Sequence, residues 1–398
     1  MPKWYHRASW SLLRSLYARP LAGAVEATGL EELPAPPFLL VADHGNYLDP
    51  YVLGTFFESP IRYMANIEGV HPLKAALSGL VGAYGRRKGA NDIAALRETF
   101  ELSRSGEAIG LFPEGDRSWD GGSAPLRPGI GKLARRLGVP LVLARQKGNY
   151  LSRPRWAQAR RRGRWSVEFL SFGADELARM SDALVERIVG AAIAKNEIKD
   201  AIREGRGFES RRSAEGIGRL IWHCPVCGEA DAIVGLGSVA RCKRCGSRWE
   251  IDANCRAKPL NVPRSLLAAD IEDLKDWHDW QVSALPALAR DSRRGVPALR
   301  SEGVVLSRRV GRLARAIGRG RLYLAGSGAG AELVFEGPGA RAVFEASAVR
   351  GFVDNFNAFS EFDHRGERWR LDFGGGNAAK WVFALSGDGL GPGKGDEA

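Results

Sequence analysis

The segment Val41-Ala42-Asp43-His44-Gly45-Asn46-Tyr47-Leu48-Asp49-Pro50 sets an imidazole and a carboxylate five positions apart, directly after an apolar run. An imidazole takes a proton from a hydroxyl at neutral pH, and a nearby carboxylate fixes its tautomer and stabilises the imidazolium that forms. Such a pair suits acyl transfer to a hydroxyl. Asp49 also reads as a helix cap with a proline at the first helical position, and capping is compatible with that chemistry. A second constellation lies far downstream. Cys224 and Cys227, then Cys242 and Cys245, form two CxxC pairs separated by fourteen residues. That spacing implies a structural four-thiolate Zn2+ site of the zinc-ribbon kind, with no open coordination position for catalysis. Cys255 is left over as a free thiol.

The elements that must position His44 and Asp49 are legible as short apolar runs alternating with helical periodicity, the pattern of a mainly parallel α/β fold. FLLVA at Phe38 to Ala42, IRYMA at Ile61 to Ala65, AIGLF at Ala108 to Phe112 and PLVLA at Pro140 to Ala144 are the expected strands. Ile93, Leu96 and Phe100 recur at helical spacing, with Asn91 or Asp92 as cap and Gly106 as stop. A helical tail is expected from Glu176 to about Gly205. After the cysteines, Leu267, Ile271, Leu274 and Trp277 predict a helix. Glycine-separated segments follow (LYL at Leu322, ELVF at Glu332, AVFE at Ala342, WRLDF at Trp369), with FSEFDHRGERWRLDF as a hairpin and AAKWVFAL as a closing helix.

Alone, an HxxxxD pair is a weak signal, but it is followed in order by VGAYGRRKG, LFPEGDRS and GVPLVLA. Together the four blocks resemble the glycerolipid acyltransferase family, whose best-known members are 1-acylglycerol-3-phosphate acyltransferases, over roughly residues 1 to 200. The resemblance implies that His44 deprotonates the acceptor hydroxyl while Asp49 holds its ring, so that the oxygen attacks a thioester carbonyl without an acyl-enzyme. It implies a phosphate contact at Arg86 or Arg87, and polar-acceptor binding by Phe112, Pro113, Glu114 and Gly115, with Arg117 continuing the match. Guanidinium groups and glycine-bearing turns suit such a phosphoester. The implied donor is acyl-CoA or acyl carrier protein, and the implied acceptor a lysophospholipid. The sequence departs from the family at Asp43, where asparagine is usual, at Asn46 for serine, at Asp116 for threonine and at Leu143 for proline. Asp43 and Asp116 are expected to add negative charge near the acceptor site.

The expected organisation is an amphipathic N-terminal helix (1–24), an acyltransferase-like α/β domain (25–205), a linker (206–219), a zinc ribbon (220–255), a helix with a β-rich domain loosely resembling pleckstrin-homology or GRAM modules (256–390), and a flexible tail (391–398). The 398-residue chain carries 58 lysines and arginines against 46 acidic residues, a formal charge of +12 that favours anionic partners. No apolar stretch reaches the roughly 18 residues of a spanning helix, and no cleavable secretory signal precedes the domain. On the first 17 residues, Lys3, Arg7 and Arg14 gather opposite Tyr5, Leu12, Leu13 and Leu16, with Trp10 and Tyr17 flanking, a pattern that reads equally as an interfacial helix and as a helix packed on the catalytic domain with an exposed basic edge. Arg153, Arg155, Arg160, Arg161, Arg162 and Arg164 are interleaved with Trp156 and Trp165, which reads first as a solvated hairpin before the strand SVEFLSF, and secondarily as a headgroup surface or a nucleic-acid grip. These features place the protein in the cytoplasm, peripheral on the cytoplasmic face of an anionic membrane, and do not favour a nucleic-acid partner. The alternatives are acylation of another lyso-lipid and a catalytically inactive, zinc-bearing lipid- or nucleic-acid-binding regulator.

Overall fold

In the computed structural model, residues 4–15, 25–66, 82–86, 93–285, 287, 292–293, 296–297, 299–311, 313–326, 330–355, 359–374 and 376–385 are described. The chain forms two compact units, one of residues 1–155 and 160–210, the other of residues 156–159 and 211–398. Their boundary falls inside the stretch expected to be a linker, and within that stretch Phe208–Glu209 pairs with Arg162–Gly163.

The first unit is built on a seven-stranded sheet of β1 (Val25–Thr28), β2 (Leu39–Ala42), β3 (Ile61–Asn66), β4 (Tyr84–Arg86), β5 (Ala108–Leu111), β6 (Leu141–Lys147) and β7 (Trp165–Phe172), in the order β1-β7-β6-β2-β5-β3-β4. All neighbours are parallel except β6 and β7. The four strands expected from the sequence are all present. β2 and β5 are buried along their whole length because helices or chain cover both faces, which is why they read as continuous apolar runs. Alternate residues build two cores. Leu39, Val41, Ile109 and Leu141 pack with Ile130, Ala134, Val185 and Val189 on one face, while Leu40, Ala42 and Val142 pack with Val52, Leu53 and Phe57 on the other.

Three helices of this unit are α1 (Trp4–Leu13), α2 (Asp49–Gly54) and α3 (Ile93–Arg104). In α1, Trp10 is buried and its ring abuts Gly54, His6 is buried beside Arg62, and Leu12 is exposed. The Trp10 and His6 contacts accord with the reading of α1 as a helix packed on the domain. In α3 the helix is where periodicity puts it, but Ile93 and Leu96 are exposed and Ala95, Thr99 and Ser103 are buried. The expected cap at Asn91 or Asp92 lies outside the described residues. After α4 (Ile130–Leu137), the predicted helical tail is three pieces, α5 (Ala174–Ala178), α6 (Asp182–Ile193) and α7 (Glu197–Arg203), and the break between the last two holds Lys195.

The second unit contains a four-stranded antiparallel ribbon, β8 (Ile233–Leu236), β9 (Val239–Cys242), β10 (Arg248–Ile251) and β11 (Ala257–Pro259). The helix α8 (Leu274–Ser283) packs on it: the Trp249 and Trp277 rings lie 4.7 Å apart and Trp277 Nε1 donates to the His223 carbonyl. The last third is a seven-stranded antiparallel sheet of β12 (Arg300–Val310), β13 (Leu313–Ala325), β14 (Glu332–Gly337), β15 (Ala340–Glu345), β16 (Val349–Asn355), β17 (Phe359–His364) and β18 (Glu367–Asp372), ordered β15-β14-β13-β12-β18-β17-β16. The predicted hairpin is β17–β18, turned by Arg365 and Gly366 at positive φ, and the predicted closing helix is α9 (Ala379–Leu385).

Candidate functional site

The sheet order determines what can meet. β6, β2 and β5 are adjacent and parallel, so the loops that leave their C-terminal ends emerge at one edge, the usual place for a site in an open α/β sheet. The loop after β2 supplies His44 and Asp49, that after β5 supplies Phe112 to Arg117, and that after β6 supplies Asn149. β4 is parallel too and stands three strands from β2, about 14 Å by strand spacing. Arg86 ends that strand on the same edge, and Arg87 lies outside the described residues.

His44 Nδ1 and Asp49 Oδ2 are 2.8 Å apart. The same carboxylate oxygen accepts the backbone N–H groups of Gly45 (2.9 Å) and Asn46 (2.8 Å), and Oδ1 accepts from Asn149 Nδ2 at 3.2 Å. Asp49 is therefore the first residue of α2 and no N-cap: its side chain turns back to bind the loop that holds the histidine. With Nδ1 committed, Nε2 is the nitrogen left for a substrate. The imidazole keeps 18% of its side-chain surface exposed, against none for the carboxylate. Phe112 stacks on the imidazole at 4.1 Å between centroids, and Tyr63 stacks on Phe112 in turn.

Pro113, Glu114 and Gly115 form the turn after β5, and Gly115 adopts φ +78°, where a Cβ would also strike Arg127. Glu114 is buried and accepts the N–H groups of His44 (3.3 Å) and Ala124 (3.1 Å), so it fastens the turn to the His44 backbone. Burial, and secondarily the Asp43 charge, push its carboxyl up to about 8. The Arg117 backbone N–H donates to Asp116, its carbonyl accepts from Arg155, and its side chain is half-buried.

Asp43 and Asp116 do not stand as free negative charges. Asp43 is buried and meets Lys195 Nζ at 2.7 Å, Asn149 Nδ2 at 3.0 Å and the Gln146 N–H at 2.8 Å. Lys195 also reaches Glu197 at 3.1 Å and the Asn149 side-chain oxygen at 2.6 Å. Burial opposes the Lys195 ammonium, but Asp43 and Glu197 outweigh it and hold its pKa above the ordinary value. Asp116 pairs with Arg155 at 3.1 Å. Lys195, Asn149 and Glu197 escape a sequence reading because they sit in an unremarked loop and helix tail. The one signal for them is the aspartate at position 43, a buried acid that requires a cation.

The arginine-tryptophan stretch is not uniformly solvated. Trp156 and Trp165 are both buried, and Arg155 is buried with its guanidinium 3.7 Å over the Trp119 ring. Arg153 and Arg160 instead converge on one oxygen, donating to the Tyr47 hydroxyl at 2.7 and 2.8 Å. Tyr47 is three residues beyond His44, and neither guanidinium has a carboxylate partner among the described residues.

In the second unit, the Sγ atoms of Cys224, Cys227, Cys242 and Cys245 lie within 4.8 Å of one another, with Cys224–Cys245 and Cys227–Cys242 each at 3.8 Å. Four thiolates about 2.3 Å from a tetrahedral zinc stand about 3.8 Å apart, so the set fits that ion. Gly228 and Gly246, both at positive φ, turn each CxxC knuckle. Cys255 is buried outside the cluster.

Residues 24–143 match the acyltransferase family model. The chain is 31% identical to the 1-acyl-sn-glycerol-3-phosphate acyltransferase BAT2, chloroplastic, of Brassica napus, over 29% of this chain and 34% of that protein. It is 33% identical to a probable 1-acyl-sn-glycerol-3-phosphate acyltransferase of Mycoplasma genitalium, over 28% of this chain and 44% of that one. The match thus spans between a third and a half of these relatives' length. The crystal structure of the 1-acyl-sn-glycerophosphate (LPA) acyltransferase PlsC from Thermotoga maritima aligns with a TM-score of 0.39 at 19% identity, over 47% of this chain and 80% of that chain.

Proposed function

We propose that the acyltransferase-family domain moves a fatty acyl chain from the thioester of acyl-CoA or acyl carrier protein to the hydroxyl of a lysophospholipid, in the first place 1-acylglycerol-3-phosphate. The observation that carries this reading is the His44–Asp49 pair, oriented by a carboxylate with three further N–H donors and lying inside the matched segment. In the reaction, His44 Nε2 takes the acceptor proton as the oxygen attacks the thioester carbonyl. The C–S bond breaks, and the leaving thiolate takes the proton from the imidazolium, whose charge Asp49 balances. The acceptor class follows from the names of the relatives. Arg153 and Arg160 support it, since two like charges brought to one neutral hydroxyl beside the base suit an anionic group of the acceptor. Arg86 and Arg87 remain proposed for the same role.

The remaining parts fit a peripheral enzyme on the cytoplasmic face of an anionic membrane. No helix among the described residues is long and apolar enough to cross one. The cysteine cluster is proposed to hold a structural Zn2+. The strand order and closing helix of the last third support its reading as a pleckstrin-homology or GRAM-like docking module. The test is transfer of radiolabelled acyl groups from acyl-CoA and from acyl carrier protein to a panel of lysophospholipids. Product with 1-acylglycerol-3-phosphate, and a raised KM for it in Arg153→Ala and Arg160→Ala, are expected. No product from either donor with any acceptor would favour the inactive, zinc-bearing regulator.

A further inference from the structure

Three separate stretches of chain meet behind the His44–Asp49 pair, and the wholly buried side chain of Asn149 touches all of them. Its Nδ2 donates to Asp49 Oδ1 at 3.2 Å and to Asp43 Oδ2 at 3.0 Å, while its Oδ1 accepts from Lys195 Nζ at 2.6 Å. The backbone of Asn149 is held as well: its carbonyl accepts from Asn46 Nδ2 at 2.9 Å. Two glycines admit it. Gly148, just before it, adopts φ +88° where a Cβ would strike the Arg164 carbonyl, and a Cβ on Gly45 would stand 2.9 Å from Asn149 Nδ2. The direction of the amide is set by chemistry. An ammonium only donates, so Lys195 can meet only the amide oxygen, and ionised carboxylates only accept, so Asp43 and Asp49 must meet the NH2 group. Lys195 is itself fixed by Asp43, Glu197 and the Gln146 carbonyl.

Asp49 depends on that NH2 group. Its Oδ2 is shared by His44 and the N–H groups of Gly45 and Asn46, whereas Oδ1 has Asn149 as its one donor among the described residues. A carboxylate held at one oxygen can swivel about its Cβ–Cγ bond; held at both, its plane is fixed, and with it the imidazole that shares Oδ2. We infer that Asn149, anchored by Lys195, is a positioning residue of the site: it locks the Asp49 carboxylate, which keeps His44 in the Nδ1–H tautomer with Nε2 free to take the acceptor proton. The buried amide lies out of a substrate's reach, so its effect belongs to kcat and not to KM. The inference rests on the proposed acyl transfer for its rate readout, while its spectroscopic readout needs no turnover.

The test is nuclear magnetic resonance of the full-length chain carrying nitrogen-labelled histidine, with the His44 ring signals assigned by their absence in His44→Ala, beside steady-state acyl transfer. Asn149→Ala removes the donor to Asp49. Asn149→Asp/Asp43→Asn removes it too while conserving the charge and volume of the cluster, so a folding defect in the first variant leaves the second to decide. Wild type is expected to hold the neutral His44 ring in the Nδ1–H tautomer alone, and both variants to mix the two tautomers. Both should lose about tenfold to a hundredfold in kcat, the worth of a hydrogen bond to a charged group, with KM changed less than about twofold. In an Asp49→Ala background, Asn149→Ala should cost less than about twofold more, since the group it acts through is gone. The wild-type tautomer retained in both variants would overturn the inference, as would a kcat loss that adds in full to that of Asp49→Ala. If wild type transfers no acyl group to any acceptor, the proposed reaction fails and the ring spectra still decide the positioning role.

Discussion

Asp43 replaces the asparagine usual before the histidine in the family it resembles, and Lys195 is what makes the exchange tolerable in a buried site. Asp43, Glu197 and Asp49 lie within one hydrogen-bonded network that Lys195 and Asn149 join. Lys195→Met leaves buried carboxylates without their ammonium and should cost about 3–5 kcal/mol in chemical denaturation. Adding Asp43→Asn should recover part of that loss; no recovery would mean that Lys195 acts through packing alone. Glu114 makes a prediction of opposite electrical character. Its carboxyl is pushed from 4.5 up to about 8, chiefly by burial, so the folded chain binds this proton more tightly than the unfolded chain. The resulting stabilisation is complete below about pH 4.5 and is lost as pH rises through about 8. Relative to Glu114→Gln, wild-type stability should therefore decline across that window, and parallel pH profiles of the two proteins would refute the assignment.

At the scale of elements, the site exists because three adjacent parallel strands end at one edge, and each of those strands is visible in the sequence as an uninterrupted apolar run. That is why His44, Asp49 and the turn from Phe112 to Gly115 are legible in the order of residues alone. The reading fails where small or distant residues decide the packing. In α3, periodicity marks the helix but picks the wrong face, because the short side chains of Ala95, Thr99 and Ser103 allow close approach to β4, where the Tyr84 and Thr99 hydroxyls meet at 2.9 Å. In α1 a packing contact is made by Trp10, whose ring fits against Gly54, a pairing that helical periodicity does not mark. The turn after β5 gives a direct test. Gly115→Ala forces a side chain onto a left-handed residue and should cost about 1–2 kcal/mol in thermal or chemical unfolding. The same change should lower kcat, since Glu114 in that turn holds the His44 backbone; a variant with unchanged stability and turnover would contradict this account of the turn.

Over the whole molecule, each unit has its own source of stability. The first has a doubly covered sheet. The second is expected to need its metal, since the ribbon's short strands are joined at a four-thiolate cluster. Elemental analysis should find one zinc per chain, and a strong chelator or Cys242→Ser should lower the melting temperature by about 5 °C or more; a metal-free chain melting at the same temperature would remove the structural role. The central claim concerns the first unit and is tested most directly by one rate. Acyl transfer to 1-acylglycerol-3-phosphate should fall by about 10²–10⁴ in His44→Ala with stability and vesicle binding unchanged, the range a positioned general base contributes. Transfer at the wild-type rate by that variant would contradict the account.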